Sequence, residues 1–411
     1  MSQSLPVGEF EWVNPDEFDI NIIKNCENSD LYGYFLEVDL EYPNELHDLH
    51  NDYPLAPETI MVTDDMLSDY QKQSKRSKVN KLVPNLGNKT KYVIHIRNLK
   101  FYLANGLKLI KIHRVIKFKQ QVWLKPYIDF NTEKRQQAPT TSGQDFFKLK
   151  NNAAFGKTME NVRNRVTVEV VNNITRRNKI VAKPNFEYMN IINENLAVMK
   201  FKKTCVHLNK PIYCGFAVLE LSKLHMFNFH YNIIKKQYGN KAKLLYTDTD
   251  SLIYEIETED VYKDMYSSKE LYDLSGFDKK GEFYDPTNNR VVGKFKDETS
   301  GVPIIEFVGL RSKMYTIKLE GGDVKKRAKG IKTNVVEKNI KHEDYKTILE
   351  ATNGKNKIKM NVIRSVKHQI NSYQLTKIGL SQTDDKRFIR EGIHDTLALF
   401  HYKTKEFSQN I

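Results

Sequence analysis

The stretch from Leu244 to Ile256, LLYTDTDSLIYEI, constrains this chain more than any other. Branched and aromatic residues fill both flanks and predict two strands. The polar piece between them predicts a tight turn. Asp248 and Asp250 then stand together at the tip of a hairpin. Carboxylates this close repel each other, so one of them is expected to hold its proton more tightly unless a cation neutralises the pair. A hard divalent ion suits them, because it takes carboxylate and water oxygens and keeps positions open for phosphate oxygens. Two such ions clamp the attacking and leaving oxygens of a phosphoryl transfer. A solvated turn uses the same residue types, so the Asp-Thr-Asp pattern acquires meaning only from its companions.

Composition points the same way. Lys and Arg number 65 against 51 Asp and Glu, a net charge of +14, which suits a polyanionic partner. At 411 residues the chain can hold about two to four domains. Cys26, Cys205 and Cys214 are too few and too scattered for a disulfide framework or a zinc site. They indicate a reducing, intracellular compartment, the nucleus in the first instance and the mitochondrion as the alternative. No apolar run approaches the roughly 18–20 residues of a membrane span, and MSQSLPVGEFEW lacks a leader pattern. The expectation is therefore no membrane partner.

Along the chain, residues 1–30 are polar and acidic and read as a remnant with no complete element. Gly33 to Asp39 reads as a strand ending on a carboxylate, and residues 70–91 as a basic loop. Residues 95–104 predict a helix, Asn105-Gly106 a turn, and the following residues a strand that makes His113 a packed strand histidine. Residues 144–164 predict a helix and RVTVEVV a strand. A helix over about 215–237 carries a core stripe of Leu219, Met226, Phe227 and Ile233 at three-four spacing. KKRAKGIK introduces a helical C-terminal region.

Two further constellations carry chemistry. Lys148, Asn152, Phe155 and Gly156 share one helical face. A lysine there can meet a triphosphate, an aromatic can stack on a base or sugar, and a glycine permits close approach. A plain amphipathic helix is the competing reading. Lys313 and Tyr315 of SKMY alternate on a strand and can bond successive phosphates of a nucleic-acid backbone. An exposed strand face accounts for them equally well.

Taken in order, EVDLEYP, KLKNNAAFGK, YTDTDS and SKMY resemble the motifs of the family B DNA polymerases. Those are an Asp with a downstream Tyr-Pro, KxxxNSxYG, DTDS and KxY. The resemblance is closest to the protein-primed branch, and within it to Polinton/Maverick-type transposon polymerases. It runs from about residue 31 to the C-terminus. It implies that Asp39, Asp248 and Asp250 are the catalytic carboxylates holding two Mg2+ ions. It implies that Lys148, Asn152, Phe155, Gly156 and Tyr42 line the nucleotide pocket, and that Lys313 and Tyr315 hold the primer. Primer–template DNA, deoxynucleoside triphosphates and a terminal priming protein are the implied partners. Ala153 and Phe155 stand where the family has Ser and Tyr, and Tyr42 follows Asp39 by three residues where the family has five. Asp48, in DLHNDYP, keeps the family's spacing to a tyrosine, Tyr53. Asp39 is preferred because it ends an apolar strand, which holds a carboxylate rigidly. Its oxygens are expected roughly 3.5–6 Å from those of Asp250, with Asp48 farther away.

The resulting expectation is an α+β right-hand polymerase, with a palm built on an antiparallel sheet with helices, fingers and a thumb. Its segments are an N-terminal remnant (1–30), palm (31–60 and 206–320), insertions (61–125 and 164–205), fingers (126–163) and a thumb with the C-terminal region (321–411). The family's proofreading exonuclease has no counterpart in the pattern before Asp39, so the chain reads as the C-terminal part of a larger enzyme or as a truncated transposon copy. Two other classes stay open: a catalytically inactive nucleic-acid-binding remnant, and a metal-dependent nuclease.

Overall fold

The computed structural model describes residues 1–73, 78–351, 354–390, 392 and 395–409. Residues 74–77 of the basic loop therefore lie outside the described residues. Strands β1 (Leu5–Val13), β2 (Tyr32–Glu41), β3 (Lys89–His95) and β4 (Lys108–Gln121) form an antiparallel sheet in the order β1-β4-β2-β3. Residues 1–30 are thus more than a remnant: β1 is a nine-residue strand with Leu5 fully buried. Strand β2 follows period-two logic. Val38 and Leu40 face the core, while Glu37, Asp39 and Glu41 face outward toward Arg114, His113 and Lys108 of β4. Helix α1 (Ile96–Ala104) covers the inner face, followed by the turn at Gly106 (φ 94°), as the sequence predicts. His95 starts that helix, its Nδ1 accepting the Arg97 amide at 3.2 Å.

Helices α2 (Lys125–Gln137) and α3 (Thr141–Thr158) form an antiparallel pair. Strands β5 (Thr167–Val171), β6 (Phe186–Asn193) and β7 (Leu196–Phe201) form a second sheet, ordered β5-β7-β6, and helix α4 (Ile174–Val181) packs into its core through Ile180. The long helix α5 (Ile212–Asn228) ends in a π-helical turn, Phe229–Ile234. Gly215 lets α5 pass the end of α3, since a Cβ there would overlap the Met159 and Thr158 side chains. Of the predicted core stripe, Met226 and Phe227 are buried, whereas Leu219 is 37% exposed. Phe227 and Tyr231 join the main core under the four-stranded sheet.

Beyond this helix come the hairpin β8 (Ala242–Asp248) and β9 (Ser251–Ile256), then a three-stranded sheet of β10 (Ile304–Arg311), β11 (Met314–Leu319) and β12 (Val324–Ala328). The C-terminal region is not the helical one expected from KKRAKGIK. Helices α6 (Thr333–Asn339) and α7 (His342–Glu350) are short, and a long hairpin follows, β13 (Lys355–Val366) with β14 (Gln369–Ser381). KNKIKMNVIRSV alternates apolar and polar residues, which is a strand pattern. The hairpin turns at Lys367 and His368, both with positive φ (49° and 66°), the type I′ arrangement that matches strand twist. Its tip meets the second sheet: Asn190 Nδ2 donates to the Lys367 carbonyl at 2.9 Å, and Gln369 Nε2 to Asn190 Oδ1 at 3.0 Å.

The chain then returns to its start. Half-buried Arg387 donates to the Asn51 carbonyl (2.9 Å) and to Thr396 Oγ1 (2.6 Å), and the Tyr402 amide donates to His47 Nδ1 (3.0 Å). Among the described residues no helix is long and apolar enough to cross a membrane.

Candidate active site

Strands β8 and β9 pair through Asp248 and Ser251, leaving Thr249 and Asp250 as a two-residue turn. The Asp250 amide and the Ser251 hydroxyl both donate to the Asp248 carbonyl, which fixes the tip. Thr249 adopts φ 41°, a left-handed conformation that costs a β-branched residue on the order of 1–3 kcal/mol. A bulge between Leu244 and Tyr246 further re-aims the strand. Asp250 is exposed and Asp248 half-buried, so two carboxylates sit on a strained, accessible turn.

SKMY meets this turn. Lys313 is not a strand residue as expected: it occupies the turn before β11, at φ 60°. That conformation points its amide at Tyr246, donating to Oη at 3.1 Å, and brings its Nζ to 3.2 Å from Asp248 Oδ2. The Tyr315 ring packs on Tyr246 with centroids 4.5 Å apart. Burial, and then the Asp248 carboxylate, pushes the Tyr246 phenol up to about 12, so it stays protonated. A cleft of about 370 Å³ opens between hairpin and sheet, lined by Asp248, Lys313, Tyr315, Arg327 and Lys329 among others. Arg327 and Lys329 belong to the basic run that the sequence marked only as the start of a helical region.

Helix α3 has no buried residue. Lys148, Asn152 and Gly156 are exposed and Phe155 is half-buried. Space around Gly156 is open, with nothing within 4 Å of a Cβ placed there. The helix is held from its flank, where Arg290 donates to Gln144 Oε1 at 3.2 Å and to the Arg135 carbonyl at 3.3 Å.

The third expected carboxylate has other partners. Among the described residues no three His, Cys, Asp or Glu side chains group to hold a metal ion, so Asp39 does not join Asp248 and Asp250 in such a cluster. Its Oδ1 accepts the Lys91 amide at 2.7 Å and lies 2.8 Å from His113 Nε2. The Lys91 amide and then His113 hold its carboxyl below the usual carboxylate range. The sheet explains this, because β2 pairs with β3 and β4 and not with the β8–β9 hairpin. Tyr42 is not beneath an open pocket either. It is 3% exposed, and its hydroxyl meets His50 Nδ1 at 2.7 Å and accepts the Leu55 amide at 3.2 Å. Asp48 pairs with Lys403 at 2.6 Å and with Tyr402 at 2.9 Å. The part of DLHNDYP that reaches the hairpin is Asp52-Tyr53. Asp52 Oδ2 accepts the Leu244 amide at 3.3 Å, and the Thr247 side chain neighbours the Tyr53 hydroxyl. The Asp-Tyr-Pro tripeptide was the available signal for that segment.

No family model matches this chain, and no curated protein matches it. Solved structures do. The phi29 DNA polymerase complexed with primer–template DNA, in its post-translocation binary complex, aligns with a TM-score of 0.50 at 14% identity, over 92% of this chain and 55% of that one. The fold resembles that of phi29 DNA polymerase. The ternary complex of the same polymerase with primer–template DNA and incoming nucleotide substrates gives a TM-score of 0.49 at 15% identity. The chain spans about 55% of the length of these neighbours. The expected α+β class, helices with antiparallel sheets, is the one observed.

Proposed function

We propose that this chain carries the polymerising portion of a DNA polymerase, transferring deoxynucleotides to a primer 3′-hydroxyl under template direction. The observation that supports it best is the junction of YTDTDS and SKMY, far apart in sequence and joined through Lys313–Asp248 and Tyr315–Tyr246. The likeness to a polymerase solved with primer–template DNA supports DNA as the partner. Protein priming by a terminal protein, a Polinton-type origin and a nuclear location belong to the same reading and rest on the motif resemblance alone.

The donor set at the turn fits a divalent ion. Magnesium is commonly held by one or two carboxylates plus phosphate oxygens, and Asp248 already faces a cation, the Lys313 ammonium. When bound, the ion supplies charge neutralisation at the phosphates and activation of the attacking hydroxyl. The second ion expected from the resemblance finds no support at Asp39, whose carboxylate is engaged by Lys91 and His113. In this reading Lys313 is the cationic contact for the primer phosphate, Tyr315 supports it through Tyr246, and Lys148 receives the triphosphate on the open face of α3. Phe155 offers a ring for stacking, and Gly156 leaves room for the nucleotide.

Magnesium-dependent incorporation on a primed template tests the reading. DNA binding without incorporation would instead favour the inactive remnant, which the lack of a three-carboxylate group among the described residues supports. DNA cleavage without nucleotides would indicate a nuclease. Lys148→Ala is expected to raise the dNTP KM while leaving DNA affinity nearly unchanged; steady-state kinetics beside a binding titration check this. Lys313→Ala is expected to weaken primer–template binding and to lower the slope of log K against log salt by about one, and an unchanged slope would remove Lys313 from the DNA contact.

A further inference from the structure

The back of the carboxylate-bearing hairpin is held by a partly buried polar layer that the proposed chemistry does not use. The π-helical turn inserts one extra residue, a device frequent at functional sites. Its effect here is to bury three consecutive residues, Phe229, His230 and Tyr231, against three different partners. Phe229 stacks on Phe295, centroids 3.8 Å apart. His230 Nδ1 lies 2.9 Å from Tyr254 Oη, with the two rings stacked at 12°. Tyr231 Oη donates to the Tyr53 carbonyl at 2.6 Å. Tyr53 in turn sets its ring edge-on to His230, centroids 5.4 Å apart, and its hydroxyl neighbours the Thr247 side chain. Tyr254 pairs across the hairpin with Leu244, whose amide is held by Asp52. Thr247 directly precedes Asp248. Both strands of the hairpin are therefore pinned from behind by specific polar contacts as well as by packing.

We propose that His230 and Tyr53 are positioning residues: with the π turn as their mount, they aim the Asp248–Asp250 tip through Tyr254 and Thr247. This rests on the polymerase reading for its kinetic consequence, but the aim of the two carboxylates also governs cation binding, which is measured separately. A strained turn, with Thr249 at φ 41°, holds a catalytic geometry only when its surroundings over-determine it, and ligand groups must be placed within about 0.5 Å. Asn places an amide oxygen near the position of imidazole Nδ1, so His230→Asn keeps an acceptor for the Tyr254 hydroxyl, whereas His230→Ala and Tyr254→Phe abolish the pair.

The test uses the full chain and Mn2+ as probe. Mn2+ affinity is read by electron paramagnetic resonance, thermal midpoint by calorimetry, and kcat and KM by single-nucleotide incorporation. Tyr254→Phe is expected to fold, to weaken Mn2+ binding about fivefold and to lower kcat about tenfold with KM within twofold; loss of a positioning contact has effects of this order. His230→Asn is expected to lie near wild type and His230→Ala near Tyr254→Phe. Should Tyr254→Phe lower the thermal midpoint yet leave Mn2+ affinity unchanged, the layer is merely structural and the proposal is overturned. It is overturned as well if His230→Asn is no better than His230→Ala. Should the wild type bind Mn2+ and fail to incorporate nucleotide, the polymerase reading fails, and the Mn2+ affinities of the variants still decide this inference.

Discussion

Asp250→Asn is expected to lower nucleotide incorporation on the order of 10³-fold, about 4 kcal/mol of barrier, with primer–template affinity nearly unchanged. Asp250 is exposed at a two-residue turn, so the substitution removes a charge without emptying any core volume. Asn keeps one oxygen and the turn propensity, so folding is conserved. What would be lost is one of the two carboxylates proposed to hold the cation, leaving Asp248 alone to serve both the ion and Lys313. Asp39→Asn is the informative partner. Its Oδ1 can still accept the Lys91 amide and face His113 Nε2, and what is lost is the negative charge at the outer face of the sheet. Its activity is expected to stay within a few-fold of wild type, with a modestly lower thermal midpoint. Rapid-quench incorporation on one primed template compares the two variants. Near-normal turnover by Asp250→Asn would sink the assignment of the turn. Equal losses in both would restore Asp39 to the chemistry.

That contrast also shows where sequence patterns stop being informative. LLYTDTDSLIYEI predicts its hairpin because flanking periodicity and turn chemistry are local, and the helix carrying Lys148 is legible for the same reason. EVDLEYP likewise predicts a strand correctly. Yet Glu37, Asp39 and Glu41 share one face by period two, and what stands opposite is decided by β4, some seventy residues away. A strand-end aspartate and a member of an acid–base ladder are identical in one dimension. Lys313 illustrates a second limit. Spacing makes it a strand partner of Tyr315, while its left-handed backbone is what turns its amide and ammonium onto Tyr246 and Asp248. The π turn is a third, since FHYNII has no compositional signature for the extra residue. The contacts of Arg387 with Asn51 close a loop of over three hundred residues, beyond any local pattern.

The chain is expected to unfold cooperatively as pH falls from about 6.5 toward 5, with a steep slope set by buried histidines. His50, His95 and His230 are at most 1% exposed. Burial pushes their imidazoles down, His50 to about 4 and His95 and His230 to about 3; neighbouring His47, Arg97 and Lys235 add to the shift in turn. The folded forms therefore stay neutral in a range where the unfolded chain, with histidine near 6.5, takes up protons. The unfolded state binds more protons there, so stability is complete above about pH 6.5 and is lost as pH falls toward the folded values. Three such groups approach a slope of about 4 kcal/mol per pH unit and cost roughly 6 kcal/mol by pH 5, enough to exhaust a net stability at the low end of the roughly 5–15 kcal/mol range before most carboxylates titrate. His47 and His401, lowered by burial at the junction of residues 47–55 with the returning C-terminal segment, act in the same direction. His95→Asn isolates one contribution: asparagine is a strong N-cap and can accept the Arg97 amide, but it takes up no proton. Its unfolding free energy against pH should be flatter by about 1.4 kcal/mol per unit over this window, measured by urea titration at several pH values. An unchanged slope would mean that His95 is already protonated in the folded chain, and a slope of opposite sign would overturn the histidine account altogether.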